Sequence, residues 1–186
     1  MAAAIWGLGF VAQRLGMDHM GPFTFNGLRF LLGALSLLPL LWWLKSRQPK
    51  PQPGSPSGDR RLLLAGGLIA GGVLFSAASL QQVGLLYTTA AKAGFITGLY
   101  IILVPVIGLA LRHKTGANTW VGALIAMAGL YYLSVTEEFT IGYGELLQVI
   151  GALFWAIHLL VLDHYSNRVA PIRLAGVQFV VCGLLS

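Results

Sequence analysis

Long apolar runs separated by short polar connections constrain the fold of this chain more than any other feature. A helix needs about 20 mostly apolar residues to cross a bilayer, and six runs approach or reach that length before a seventh begins near the end of the sequence. The runs occupy residues 2–15, 23–44, 62–86, 90–111, 120–135, 146–162 and 171–186. A spanning segment must satisfy its backbone hydrogen bonds within a helix or a closed barrel. The pattern therefore predicts an all-α, polytopic transmembrane helix bundle with six full spans and a truncated seventh.

The composition supports a membrane protein as well. The chain is 56% hydrophobic and 10% charged, whereas a soluble domain usually carries about 25% charged residues. Its 12 lysines and arginines outnumber its 6 acidic residues, but they cluster at the ends of apolar runs, as membrane topology requires. We therefore expect a lipid bilayer, and no nucleic acid, as a partner. The one cysteine, Cys182, excludes an intrachain disulfide and a cysteine-based metal site.

The basic residues also predict an orientation. Residues 45–61, KSRQPKPQPGSPSGDRR, are rich in proline, glycine, serine and charge, which is typical of a solvated loop. This loop lies on the same side as the basic connections after the fourth and sixth runs. Because basic connections stay in the cytoplasm, we expect a cytoplasmic N-terminus. No run has the basic leader and cleavage site of a signal peptide.

A repeat appears when the chain is compared with itself at a displacement of 149 residues. The uncommon residues that then coincide are Trp6 with Trp155, Pro22 with Pro171, Gly27 with Gly176, and Phe30 with Phe179. Five spans separate the two copies, and an odd number makes them enter the membrane from opposite faces. The chain is therefore predicted to contain a first repeat at 1–135 and the start of an inverted second repeat at 145–186. Three more spans are expected beyond Ser186.

Three stretches of the sequence resemble a known family. The opening, AIWGLGFVAQRLG followed by GPFTFNGLRFLLGALSLLPL, is similar to the start of EamA-type members of the drug/metabolite transporter superfamily. GLLYTTAAKAGFITGLYIILVPVIGL looks like their fourth-span signature, and LLQVIGALFWAIHLLVLDHYS resembles the start of their second repeat. The resemblance implies ten helices in two inverted five-helix repeats. It also implies export of small organic solutes by alternating access, in the cell membrane of a bacterium, without a cofactor.

Arg29 is the most unexpected residue, because an unpaired charge is costly inside a bilayer. It lies about six residues, or roughly 9 Å, into its helix. Its side chain could extend to the outer interface, or it could contact an anionic substrate in a central cavity. Its repeat mate is Gln178, also polar within an apolar run. Two polar residues at matched positions favour an inward face.

Lys92 and Gln81 raise similar alternatives near the start of the fourth run and the end of the third. Lys92 could reach the outer interface or line the outer mouth of a pathway. Gln81 and its neighbour Gln82 could form hydrogen bonds between helices or face the pathway. Tyr100, further along the fourth run, is a candidate pathway residue too.

The sixth run carries a stripe of Gln148, Gly151, Trp155 and His158 at helical spacing. Its counterpart in the first run contains Trp6 and Gln13. Such stripes could pack helices together, or they could form a cavity wall in which aromatic rings hold an organic solute. His158 could also carry protons near neutral pH. The candidate substrate-pathway residues are therefore Trp6, Gln13, Arg29, Gln81, Lys92, Tyr100, Gln148, Trp155 and His158.

Three functional hypotheses follow from these features. The first is an integral membrane transporter of small organic solutes, with a proton as a candidate coupling ion and a homodimer as a candidate assembly. The second is a membrane enzyme or lipid-handling protein, and the third is a truncated product that is inactive alone. No catalytic or phosphate-binding motif is present, so the transporter, rather than an enzyme, is our prediction, with no catalytic residues and no metal site.

Overall fold

The computed structural model describes residues 2–47, 60–111, 116–134 and 142–186. In these ranges the chain is helical and contains no strand. The helices are α1 (Ala2–Gly16), α2 (Pro22–Arg47), α3 (Arg60–Gly84), α4 (Ala90–Gly98), α5 (Tyr100–Ala110), α6 (Ala117–Ser134), α7 (Tyr143–Ser166) and α8 (Pro171–Leu185). The side chains of residues 2–6, and with them that of Trp6, lie outside the described set, as do those of Lys45, Arg47 and residues 130, 133 and 134.

The helices follow the apolar runs, and the predicted all-α polytopic bundle is confirmed. Within the described ranges, four stretches are long and apolar enough to cross a membrane: Pro22–Leu44, Arg60–Gly84, Ala90–Ala110 and Tyr143–Ser166. Ala117–Gly129 and Pro171–Leu185 are shorter apolar helices. The predicted loop at 45–61 is shorter than expected at both ends, because α2 continues through Arg47 and α3 begins at Arg60. Long basic side chains can extend from a helix end into water, so the helix need not stop where the charges begin.

The helix ends follow local sequence rules. Pro22 and Pro171 begin α2 and α8, where a missing N–H costs nothing and the fixed φ suits a helix. Thr89 caps α4 by accepting a hydrogen bond from the backbone N–H of Lys92 at 3.2 Å. Glu145 accepts a bond from the backbone N–H of Gly142 at 3.0 Å and so stabilises the start of α7.

The fourth span is irregular where α4 meets α5. Leu99 separates the two helices, and its N–H donates to the carbonyl of Ile96, only three residues back, at 3.1 Å. The carbonyl of Leu99 accepts from both Ile102 and Leu103. Pro105 lies six residues further along, inside α5. Because proline lacks an N–H and presses its ring on the preceding turn, it disturbs the regular bonding before it.

Helix α3 lies at the centre of the bundle and packs most extensively against α7 and α8. Glycines permit the close approach on the α8 side. A Cβ atom on Gly67 would lie 2.3 Å from Cγ1 of Val177, and one on Gly71 would lie 2.6 Å from Cβ of Val181. The spacing Gly67-x-x-x-Gly71 places both glycines on the face of α3 that packs against α8. Among the described residues, the corresponding atom on Gly94 would meet Phe10 alone, at 3.9 Å, which is an ordinary contact distance.

The C-terminal end of α3 is joined closely to the start of α7. A Cβ atom on Gly144 would come within 3.0 Å of the carbonyl oxygen of Gly84, so the two backbones are nearly in contact. Just beyond, the hydroxyl of Thr88 donates to Glu145 at 2.5 Å. We call this junction the α3–α7 clasp. It fixes one end of the bundle in the described conformation.

Candidate functional site

A cavity of about 530 Å³ lies inside the bundle, between α1, α2, α3, α5, α7 and α8. This volume is in the range of sites for small organic molecules. Much of its wall is apolar. The apolar lining residues are Phe30, Leu74, Leu159, Leu162 and Phe179, and Gly33 contributes backbone alone. The cavity is thus a largely apolar, partly open space lined by the helices of the bundle.

Most of the polar residues singled out in the sequence meet at this cavity. The predicted pathway residues that line it are Gln13, Arg29, Gln81, Tyr100, Trp155 and His158, and Gln178 joins them. Gln148 and Lys92 are not part of the lining, and the Trp6 side chain lies outside the described set. Six distant sequence positions therefore converge on one space.

Arg29 faces this space from α2. Its Nη2 donates to Oδ1 of the fully buried Asn26 at 2.8 Å, and its guanidinium lies 4.7 Å from the ring centre of Phe30 and 5.8 Å from that of Phe25. In the parts of the chain that the structure describes, no carboxylate pairs with Arg29. Its charge is therefore balanced by one amide oxygen and two ring faces.

His158 and Gln178 form a buried pair on the opposite wall. His158 Nε2 lies 2.8 Å from Oε1 of Gln178, and a neutral His158 with its proton on Nε2 can donate to that oxygen. Nδ1 of His158 is then an acceptor, and it has no partner among the described residues. The Trp155 ring packs edge-on to His158, with ring centres 5.9 Å apart. Sequence reasoning named His158 and Trp155 but did not include Gln178 among the pathway residues.

A polar network connects the cavity wall to the helices behind it. Gln81 Nε2 donates to Thr97 Oγ1 at 3.2 Å, and Thr97 Oγ1 donates to Oε1 of Gln148 at 3.3 Å. Nε2 of Gln148 donates to the backbone carbonyl of Gln81 at 2.9 Å, which closes the cycle. The three side chains come from α3, α4 and α7. Gln148 therefore holds the cavity-lining Gln81 in place, rather than lining the cavity itself.

The two predicted repeat copies meet at the cavity through equivalent residues. Phe30 and Phe179, paired in the sequence comparison, are in contact, with ring centres 5.7 Å apart. Arg29 and Gln178, the adjacent matched pair, both line the cavity. Contact between equivalent positions is expected close to a two-fold axis that relates two copies. The matched pairing was the signal by which Phe179 and Gln178 could have been included among the site residues.

The structure also bears on metals and cofactors. Within the described ranges, no group of three or more His, Cys, Asp or Glu side chains is close enough together to hold a metal ion. The described residues that line the cavity offer hydrogen-bonding groups, one guanidinium charge and apolar contact.

The helix bundle and its internal cavity define a polytopic integral membrane protein with a binding space of solute size. The family can then be identified from sequence: residues 1–135 match the EamA-like transporter family, and the chain belongs to it. No solved structure matches the chain.

Several curated relatives are similar over much of the chain. An uncharacterized transporter of Archaeoglobus fulgidus is 33% identical over all of this chain and 54% of its own length. The transporter YetK of Bacillus subtilis is 30% identical over 72% of this chain and 39% of its own. The inner membrane transporter YedA of Escherichia coli is 27% identical over 82% of this chain and 47% of its own. The chain thus spans about half the length of the curated relatives it matches.

Proposed function

We propose that this chain provides the solute-binding half of a transporter that moves small organic molecules across the cell membrane, in the export direction, by alternating access. The observation that carries the proposal is the cavity of about 530 Å³ that polar and aromatic side chains from α1, α2, α3, α5, α7 and α8 surround inside the membrane. Membership of the EamA-like family supports transport as the activity. The role is that of a carrier rather than an enzyme.

The repeat supports alternating access as the mechanism. If a two-fold axis in the membrane plane relates α1–α2 to α7–α8, each conformation open to one side has a counterpart open to the other. The Phe30–Phe179 contact lies where such an axis would pass. In this scheme the α3–α7 clasp, with Thr88 bonded to Glu145, closes one end of the cavity. Release of the clasp would open that end.

The basic connections place the N-terminus in the cytoplasm in this proposal. Reporter fusions at residues 48–59 and 136–141 test it, because the first connection should be cytoplasmic and the second should be on the far side. If both report the same compartment, the inverted arrangement fails. Coupling to protons and assembly as a homodimer remain predictions.

Access to the cavity can be tested with single cysteines. In a Cys182→Ala background, Leu159→Cys places a thiol in the cavity wall, and Leu153→Cys places one on the same helix outside the lining, where 42% of the side chain is exposed. A membrane-impermeant thiol reagent should modify Cys at 159 much faster than at 153, because only the cavity admits water. Equal protection of the two thiols would contradict a solute pathway here.

Transport itself is tested in liposomes that contain the whole transporter of which this chain is proposed to be one half, together with a mixed pool of small metabolites. Solute should leave the liposomes without ATP. Gly33→Leu should stop this flux, because a Cβ atom added at Gly33 would lie 3.5 Å from the Phe179 ring at the cavity and leave no room for a longer side chain. Gly72→Leu is the matched control, since no atom of the described residues lies within 4 Å of a Cβ atom there. Equal flux through both variants would exclude this cavity as the route.

A further inference from the structure

We propose that the cavity selects an organic monoanion: a carboxylate, held by Arg29, on an apolar body that also carries a separate N–H or O–H donor. The inference rests on the proposed function and narrows it, by naming the class of solute. Three independent features of the lining support it: its one charged side chain, its unpartnered acceptors and its aromatic wall.

The first feature is the charge of Arg29. Pro22 begins the helix seven residues earlier, which places Arg29 about 10 Å from that end. An arginine at this depth is costly unless it is paired, yet the described residues supply only the Asn26 oxygen and two phenyl rings. Its Nε has no hydrogen-bond partner among them. A carboxylate would neutralise the charge and accept two parallel bonds from the guanidinium.

The size of this charge favours a monoanion over a dianion such as phosphate. Among the residues that the structure describes, Arg29 is the only lysine or arginine in the cavity lining. A dianion would keep one charge uncompensated in a largely apolar space. A cation would be repelled by Arg29. A single carboxylate is therefore the group that the site matches.

The second feature is a pair of unpartnered acceptors. Oε1 of Gln13 and Nδ1 of His158 have no donor among the described residues, although the two side chains are only 6% and 5% exposed. The other end of Gln13 is engaged, because its Nε2 donates to the carbonyl of Gly9 at 3.1 Å. A buried acceptor without a donor is costly. Both atoms have almost no exposed surface, so a solute that supplies an N–H or O–H group is favoured once these side chains turn toward the cavity.

The third feature is the apolar and aromatic wall. Phe30, Phe179 and Trp155 line the cavity around these polar groups. Flat rings offer a large contact area with few torsions to fix, and they accept apolar bodies of varied shape. The site therefore combines one carboxylate contact, one donor contact and a hydrophobic compartment.

The test compares four solutes that share a phenyl ring and a short chain. Binding to the purified chain in nanodiscs of neutral lipid is measured by calorimetry for 3-phenyllactate, 3-phenylpropanoate, 3-phenylpropanamide and phenethylamine. We expect phenyllactate to bind most tightly and phenylpropanoate about twofold to tenfold more weakly, for the loss of one hydrogen bond. The neutral amide and the amine should be at least about tenfold weaker than phenylpropanoate. Equal affinity for the amide and the carboxylate, or no carboxylate binding at millimolar concentration, would overturn the inference.

Variants identify the group responsible. Arg29→Gln should weaken binding of 3-phenyllactate by about tenfold to a hundredfold, the range for a hydrogen bond to a charged group. Arg29→Lys should retain part of the affinity. Arg168→Gln removes an equal charge from an exposed position between α7 and α8 and should change nothing. If Arg29→Gln binds phenyllactate normally, Arg29 is not the anion contact.

The outcomes separate this inference from the proposed function. The comparison of solutes uses the unaltered chain, so it tests selectivity for a carboxylate even if an Arg29 variant does not fold. Flux of neutral or cationic solutes that Gly33→Leu abolishes would leave transport standing and remove anion selectivity. Absence of flux, together with protection of the thiol in Leu159→Cys from the thiol reagent, would contradict both the proposed transport and the anion selectivity.

Discussion

Replacement of Gln148 by leucine should destabilise the bundle measurably, and the size of the effect can be worked from its contacts. Gln148 is completely buried in α7. Its Nε2 donates to the carbonyl of Gln81 at 2.9 Å, and its Oε1 accepts from Thr97 at 3.3 Å. Gln148→Leu keeps similar volume and removes both bonds. Hydrogen bonds between membrane helices are worth about 0.6–2 kcal/mol each.

The partners that remain reduce this loss. The carbonyl of Gln81 still accepts the helical bond from the N–H of Leu85 at 3.0 Å. The hydroxyl of Thr97 still accepts from Nε2 of Gln81, and its proton can turn to a carbonyl of its own helix. Neither partner is left fully without a bond. We therefore expect the free energy of unfolding to fall by about 1–2 kcal/mol, in the lower part of the range for two bonds.

Gln82→Leu is the matched control. Gln82 is also completely buried, one residue along α3, but neither its Oε1 nor its Nε2 has a partner among the described residues. Removal of an unsatisfied amide should leave stability unchanged or raise it. The free energy of unfolding of both variants is measured by equilibrium denaturation in mixed micelles. If Gln82→Leu costs as much as Gln148→Leu, burial of an amide, and not the network, accounts for the stability.

Two further predictions concern helix packing and the α3–α7 clasp. Gly67→Ala should lower the free energy of unfolding by about 1–3 kcal/mol, because the added atom would lie 2.7 Å from Cβ of Val177, which no rotamer change can move. Gly72→Ala is the control and should not lower it, because the described residues leave open space around Gly72. Equal losses in the two variants would show that glycine content, and not contact, matters. Glu145→Ala removes the hydrogen bonds from the Thr88 hydroxyl and from the start of α7, and it should lower the free energy of unfolding by about 1–3 kcal/mol. Thr88→Val removes one of these bonds and should lower it less. Thermal denaturation in detergent compares the two variants, and the reverse order would refute the role of Glu145 in the clasp.

The candidate site was predictable from the sequence to the extent that its residues are unusual for a membrane helix. Arg29, Gln13 and His158 stand out because a polar side chain in an apolar run requires a reason. The structure places all three at the cavity. The same criterion also selected Lys92, which lies near the end of a span and outside the lining. Unusual character therefore selects candidate residues without deciding which of them face the cavity.

The network behind the cavity could not be predicted in this way. Gln81 and Gln148 are 67 positions apart, and their bond exists because Gly84 and Gly144 let α3 and α7 approach almost to backbone contact. The irregular turn at Leu99 is another case. A proline such as Pro105 disturbs a helix, but the position of the disturbance depends on how the neighbouring turns accommodate the ring.

The sequence by itself determined that this chain is a bundle of membrane helices, approximately where each helix begins and ends, and which positions of the two predicted repeat copies correspond. Those properties depend on the length, hydrophobicity and order of the apolar runs. Bilayer thickness sets how long a span must be, and a span in lipid must form a helix to satisfy its backbone hydrogen bonds. Only the tertiary structure decided that Arg29, His158 and Gln178 surround one cavity while Gln148 supports it from behind. Which side chains meet depends on the rotation and separation of whole helices, and these are set by packing among many residues at once.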